Sequence, residues 1–202
     1  MEPVVRRWLR PALWLLIVAP LVLIAVQFAI GSFGANPIRR VEDETGQWAL
    51  RLLAASLAVT PLMSLTRWGW LIRERRFLGL AAFWAASLHL TVYIGLDNFF
   101  AFDDIVKDVL KHLYVTVGMA AFLMLLPLAI TSTKGWIKRL GGHRWNVLHR
   151  LVYPAALAGC IHFLWAVKKD MTEPIIYSAV FAVLFALRMI RRKRPRSVAL
   201  TT

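Results

Sequence analysis

Six apolar runs, at about 8–30, 48–66, 77–97, 112–131, 147–167 and 173–190, alternate with short polar connections along the chain. Each is close to the roughly 20 residues that carry a helix across a hydrocarbon core. The pattern predicts an all-α membrane protein, a bundle of six transmembrane helices forming one domain over residues 1–202. The first connection, GSFGANPIRRVEDETGQ, holds turn formers at Gly31, Gly34, Asn36 and Pro37 and reads as a loop. RWGWLIRERR is basic, DNFFAFDDIVKD is acidic, TSTKGWIKRLGGHRW breaks at Gly141 and Gly142 just before the fifth run, and KKDMTEP is the last. All are too short to hide a soluble catalytic domain. The first run follows Arg6, Arg7 and Arg10 and lacks a small-x-small cleavage site, so it reads as a retained helix rather than a signal peptide.

Composition agrees with that solvent: the chain is 59% hydrophobic, against roughly half for soluble domains. A net charge of +14 would suggest a nucleic-acid partner in a soluble protein, but the charges are sorted by connection. Eighteen of the 25 Lys and Arg fall in the N-terminal stretch through Arg10, in the second connection, in the fourth connection and its flank through Arg150, or from Arg188 onward. Of the acidic residues only Glu2 and Glu74 lie on that side, against nine on the other. The positive-inside rule then puts both termini in the cytoplasm and explains the basic charge as topology. The tail RRKRPR reads as an orienting cluster facing membrane lipids, with no nucleic acid required.

No strand-linked GxGxxG, Walker lysine loop, paired cysteines or HExxH helix is present. The single cysteine, Cys160, lies within a span and reads as packing. The chemistry that remains is in the histidines. His112 lies at the outer mouth of the fourth span and His143 in a connection, where both read as solvated, but His89, His149 and His162 lie within spans. An ionisable residue there is costly and is a functional hypothesis by default.

Helical rise gives their depth. Measured from the basic edge, His89 lies thirteen residues past Arg76, roughly 20 Å, and His162 twelve past Arg150, roughly 18 Å. Imidazoles at equal depth on two helices suit the two axial positions of a haem in an apolar slot. The plain alternative is that each histidine hydrogen-bonds a neighbouring helix. His149 lies at the basic edge, level with Arg75 and Arg76, and about 140° around the helix axis from His162. A kink at Pro154 would alter that angle, so one haem or two remain open.

Arg73, Arg75 and Arg76 either set topology or hold a phosphate or carboxylate, such as a flavin phosphate or a quinone-site partner, through forked hydrogen bonds. Trp145 and Tyr153, which flank His149, read as interfacial aromatics or as one wall of a planar pocket. Thr131, Ser132 and Thr133 end the fourth span at the same level and offer polar contacts.

The stretches GANPIRRVEDETG, LIRERRFLGLAAFWAASLHLTVY, LYVTVG, TST and HRWNVLHRLVYPAALAGCIHFLWAVK together resemble the haem-binding membrane subunits of bacterial protein-methionine-sulfoxide reductase systems, the MsrQ family. The resemblance spans nearly the whole chain. It implies a ferric-reductase-like core of six helices in the bacterial inner membrane, binding heme b and FMN. It also implies a role, passing electrons from the quinone pool or a cytosolic flavin reductase to a periplasmic molybdenum-containing methionine sulfoxide reductase that repairs oxidised proteins. The family's three intramembrane histidines carry over to His89, His149 and His162, and its arginine pair to Arg75 and Arg76. Sulfoxide reduction itself is expected on the partner. The competing readings are a stand-alone ferric or quinone reductase of the same fold, and a non-haem scaffold or transporter; the lack of broken-helix repeats speaks against the transporter.

Overall fold

The computed structural model describes residues 2–192. It contains α1 (Glu2–Ala29), α2 (Pro37–Thr66), α3 (Ile72–Val92), α4 (Phe102–Lys111), α5 (Leu113–Ile130), α6 (Lys134–Leu148), α7 (Val152–Ala166) and α8 (Thr172–Arg192), and no strand among the described residues. Six segments are long and apolar enough to cross a membrane: Arg7–Ala29, Pro37–Thr66, Gly69–Asp97, Leu113–Ile130, Lys134–Ala166 and Thr172–Ile190. The six-helix expectation holds. The tail RRKRPR lies outside the described residues apart from the backbone of its first two, which close α8. The end of the bundle where α1 begins and α8 ends is called the basic end, and the opposite one the acidic end.

The connections differ from their reading as loops, and in each case local chemistry that hydropathy does not register is the reason. α2 begins at Pro37, so only residues 30–36 remain between the first two helices. The Asn36 side chain caps it by accepting from the Arg39 amide at 3.2 Å, and Pro37 occupies the first helical position. Arg39–Asp43 (3.2 Å) and Arg40–Glu44 (2.9 Å) pairs at i,i+4 support its polar first turns. The acidic connection folds as α4, with Asp103 and Asp104 in its first turn favoured by the helix dipole. α6 is capped by Thr133 and bends at Gly141, whose φ of 72° belongs to glycine. Pro154 lies in the first turn of α7, and just before it the chain tightens to a 3₁₀ turn at His149–Leu151.

α2 packs along α3 and α5 along α7, while α8 buttresses α2 and α7 and α1 lies against α2. In lipid this packing is driven by close contact rather than by water. Ala82 and Ala85 on α3 and Ala155 and Ala156 on α7 are at most 2% exposed, letting the helices approach. Leu50, Leu53 and Leu57 of α2, Leu78 of α3, Phe163 and Cys160 of α7, and Phe181 of α8 fill the centre.

One polar network crosses this apolar body. Arg51 of α2 donates from Nε to the Tyr177 hydroxyl on α8 at 2.6 Å and from Nη2 to Gln47 Oε1 at 2.7 Å. Gln47 in turn donates to Glu173 on α8. A charge-assisted bond is worth about 1.5–3 kcal/mol in soluble proteins. Interhelical bonds in membranes average nearer 0.6 kcal/mol, because the separated helices find other partners. We expect Tyr177→Phe to destabilise the folded bundle by about 1 kcal/mol, measured as a lowered unfolding midpoint in detergent. The same variant in an Arg51→Met background should then cost almost nothing.

Candidate haem site

His89 on α3 and His162 on α7 face one another with ring centroids 6.1 Å apart and planes at 71°. Each ring is oriented by a helix other than its own. His89 Nδ1 lies 3.0 Å from the Glu42 carbonyl oxygen of α2 and 3.4 Å from Thr45 Oγ1, whose own hydroxyl is donated to Val41 O at 2.7 Å. His162 Nδ1 lies 2.7 Å from the Tyr114 carbonyl oxygen of α5. Carbonyls only accept, so Nδ1 carries the proton in both rings and Nε2 keeps its lone pair. A ligating histidine is oriented in this way by a bond from its other nitrogen.

The same device supports both rings. The residue four positions after each accepting carbonyl, one helical turn on, is a glycine: Gly46 after Glu42 and Gly118 after Tyr114. A Cβ at Gly46 would lie 3.2 Å from His89 Cε1, and one at Gly118 only 2.6 Å from His162 Nδ1. Hydrogen replaces methyl there because the imidazole occupies the space.

Both histidines line a cavity of about 290 Å³ enclosed by α2, α3, α5 and α7. Its wall is apolar through Leu50, Leu53, Met119, Phe122 and Leu125, and its mouth, at the acidic end, is polar through Arg39, Asp43, Tyr93, Asp97 and Asp108. Tyr93 donates to Asp108 at 2.6 Å, and Asp108 also meets His112 at 2.6 Å. Arg39 reaches from α2 to the Ala166 carbonyl at the end of α7, 3.3 Å away, and pairs with Asp43.

This arrangement fits a haem. Two metal–imidazole bonds of about 2 Å each, with the half-widths of two five-membered rings, come to about 6 Å, which is the observed centroid spacing. Two imidazoles do not complete the coordination of a bare ion, and no cluster of three His, Cys, Asp or Glu forms among the described residues. Two are enough for iron whose in-plane ligands come with a macrocycle.

His149 stands apart from this pair and does not line the cavity. It lies in the 3₁₀ turn before α7, with Nδ1 3.1 Å from the Trp145 carbonyl and its ring stacked on Trp145 at 3.8 Å. Nε2 is buried with no hydrogen-bond partner. The His149 ring also lies near the main chain of Leu128, whose carbonyl accepts from Ser132 Oγ at 2.7 Å. Trp145 is therefore a wall against His149 rather than a free interfacial aromatic, and its indole N–H donates to Thr131 O at 2.9 Å. Thr131 and Ser132 donate their hydroxyls to α5 carbonyls, not to a ligand. The arginine pair divides: Arg75 is half-buried and within electrostatic reach of His149, whereas Arg76 is exposed. His112 and His143 are both exposed.

Sequence reading missed Arg39, Tyr93 and Tyr114 at the mouth. The available signal was the Glu-x-x-x-Gly and Tyr-x-x-x-Gly spacing, which gains meaning only once a histidine is known to face it.

Residues 45–160 match the family described as ferric reductase-like transmembrane component. That stretch holds His89 and His149 and stops two residues before His162. Longer likenesses include the remaining spans. A Rhodospirillum rubrum chain named protein-methionine-sulfoxide reductase heme-binding subunit MsrQ is 47% identical over 187 residues, 93% of this chain and 90% of its own. Chains of the same name from Herminiimonas arsenicoxydans and Caulobacter vibrioides are 49% identical over 166 residues (81% of this chain, 76% of theirs) and 44% over 184 (91% and 88%).

The close approach at Gly118 gives a test of the site. Gly118→Ala should push the His162 ring off the Tyr114 carbonyl and lower haem per protein several-fold, read by haem quantitation and the visible spectrum. Gly135→Ala on α6, outside the cavity and with only an ordinary contact to Thr133 Oγ1 at 3.9 Å, should leave both unchanged.

Proposed function

We propose a function from one premise: the chain belongs to the MsrQ family of protein-methionine-sulfoxide reductase haem-binding subunits, within the ferric reductase-like transmembrane components. It is the haem-binding membrane subunit of a methionine sulfoxide reductase system. In our reading it carries electrons from the basic end, facing the cytoplasm, to the acidic end, facing the periplasm of a bacterial inner membrane. The donor is the quinone pool or a cytosolic flavin reductase. The acceptor is a periplasmic molybdenum-containing reductase that reduces methionine sulfoxide in oxidised proteins, so the sulfoxide chemistry takes place on the partner.

The observation that carries this reading is the facing pair His89 and His162, each with Nδ1 committed to a carbonyl of a neighbouring helix. Haem b bound there supplies a one-electron centre whose potential follows from its axial ligands and burial. The residues around it do the rest. Glu42 and Tyr114 set the direction of the two imidazoles through their main-chain carbonyls. Leu50, Leu53, Phe122 and Leu125 keep water from the slot. Arg39 is the cation at a mouth otherwise rich in carboxylates, and that acidic rim faces the partner. At the opposite end His149, Trp145 and Arg75 form the electron-donor side, where FMN binds, with Arg76 exposed at its edge.

The test is a reduced-minus-oxidised visible spectrum with haem quantitation on detergent-purified protein. We expect His89→Ala and His162→Ala each to abolish the low-spin b-type signal; unchanged haem content in either rejects the assignment. In His149→Ala, a fall from two haems to one places a second haem at the basic end, whereas loss of flavin with haem intact makes His149 part of the flavin site. Orientation is tested separately, in a Cys160→Ser background. A membrane-impermeant maleimide should label Lys169→Cys in intact cells and spare Arg144→Cys.

A further inference from the structure

Arg188, near the end of α8, belongs by sequence to the run of terminal charges that orient the chain. In the fold it turns inward. Its guanidinium lies over the Tyr153 ring of α7, 5.2 Å from the centroid, and Nη1 is buried with no hydrogen-bond partner. Arg75, in the first turn of α3, is half-buried and within electrostatic reach of Arg188, Tyr153 and His149. Neither arginine takes part in an ion pair among the described residues. Glu74, the neighbour of Arg75, pairs instead with Arg10 at 3.6 Å.

Two guanidiniums within electrostatic reach of each other and partly out of water repel, and burial of unpaired charge is costly, all the more so at membrane depth. Such a pair is maintained where an anion sits between the two cations. The guanidinium fork matches the oxygens of a carboxylate or phosphate, with two parallel N–H···O bonds per arginine. Nε2 of His149, buried with no hydrogen-bond partner, is a second such polar atom in the same region.

We propose that Arg75 and Arg188 form a two-arginine clamp for one carboxylate or phosphate group of a ligand seated against His149 at the basic end. The inference deepens the electron-donor side of the function proposed above and rests on that reading for its place in the transfer. It revises the arginine pair expected from sequence. The partner of Arg75 in ligand binding is Arg188, 113 positions along the chain, and the exposed Arg76 is not the second arm. Three sources supply the required oxyanion: the phosphate of a flavin mononucleotide, a propionate of a second haem, and the headgroup of an anionic phospholipid.

The experiment compares wild type, Arg75→Gln, Arg188→Gln and, as an exposed control on α6, Arg144→Gln, all as full chains in nanodiscs containing phosphatidylglycerol. Three quantities are measured: FMN affinity by quenching of flavin fluorescence, haem per protein, and phosphatidylglycerol retained in native mass spectrometry. We expect one of three changes in both Arg75→Gln and Arg188→Gln and none of them in Arg144→Gln: FMN affinity falls at least tenfold, retained phosphatidylglycerol falls at least tenfold, or haem per protein falls from two to one; the quantity that falls identifies the source. All three unchanged in Arg188→Gln, or an equal fall in Arg144→Gln, overturns the clamp. The low-spin signal of the His89–His162 pair reports folding. If Arg188→Gln loses that signal, Arg188→Lys decides, since it keeps the charge without the fork. Weaker binding with the signal intact supports the clamp, and undiminished binding overturns it. A wild type without haem at His89 and His162 would refute the proposed function, while the FMN and lipid measurements would still decide the clamp.

Discussion

Both imidazoles of the central pair give up Nδ1 to a main-chain carbonyl of a neighbouring helix, and the rest of the bundle is arranged so that these two bonds can form. A helix carbonyl normally serves only the amide one turn along. The Glu42 and Tyr114 carbonyls must also be reachable from the side, which requires that no Cβ stand over them at the next turn. Gly46 and Gly118 meet that requirement. Glycine in a helix interior costs roughly 0.5–1 kcal/mol relative to alanine, and here the loss is offset by fixing the tautomer and direction of two rings. The bonds also tie α2 to α3 and α5 to α7, the two closely packed helix pairs between which the cavity lies.

The polar groups of the bundle fall into two kinds. Arg51 is satisfied within the protein by Gln47, Tyr177 and the face of Trp48, and serves to hold α8 against α2. Arg188 Nη1 has no hydrogen-bond partner, and neither Arg188 nor Arg75 takes part in an ion pair among the described residues, although both lie in spans of the same bundle. Where the surroundings exclude water, a completed network is structural, and an incomplete one implies a missing partner. The two ends of the cavity region differ accordingly. At the acidic mouth Arg39 pairs with Asp43 and Asp108 holds Tyr93 and His112, whereas at the basic end Arg188 Nη1 and His149 Nε2 have no hydrogen-bond partner.

The six spans, the charge sorting between the two sides and the equal depth of His89 and His162 are legible in the linear chain. Hydrophobic run length, the distribution of Lys and Arg, and helical rise are properties of residue order alone. The helical nature of the polar connections is less legible, because caps, i,i+4 ion pairs and the positive φ of Gly141 act over a few residues and leave hydropathy unchanged. The resemblance to a known family named His89, His149, His162, Arg75 and Arg76 together, and could not separate them by environment.

That separation depends on contacts between residues far apart in the chain. His89 meets Glu42 and Thr45, His162 meets Tyr114, and Arg75 comes near Arg188, in each case from another helix. Depth along a helix follows from counting residues, whereas the direction a side chain faces depends on how each helix is rotated against its neighbours. That rotation is set by side-chain packing across helix interfaces, through residues such as Ala82, Ala156, Gly46 and Gly118. The sequence by itself thus determined that this protein spans a membrane six times with two histidines at one level. Only the tertiary structure decided that those two rings meet across a slot, that His149 stays outside it, and that Arg188 turns inward toward Arg75.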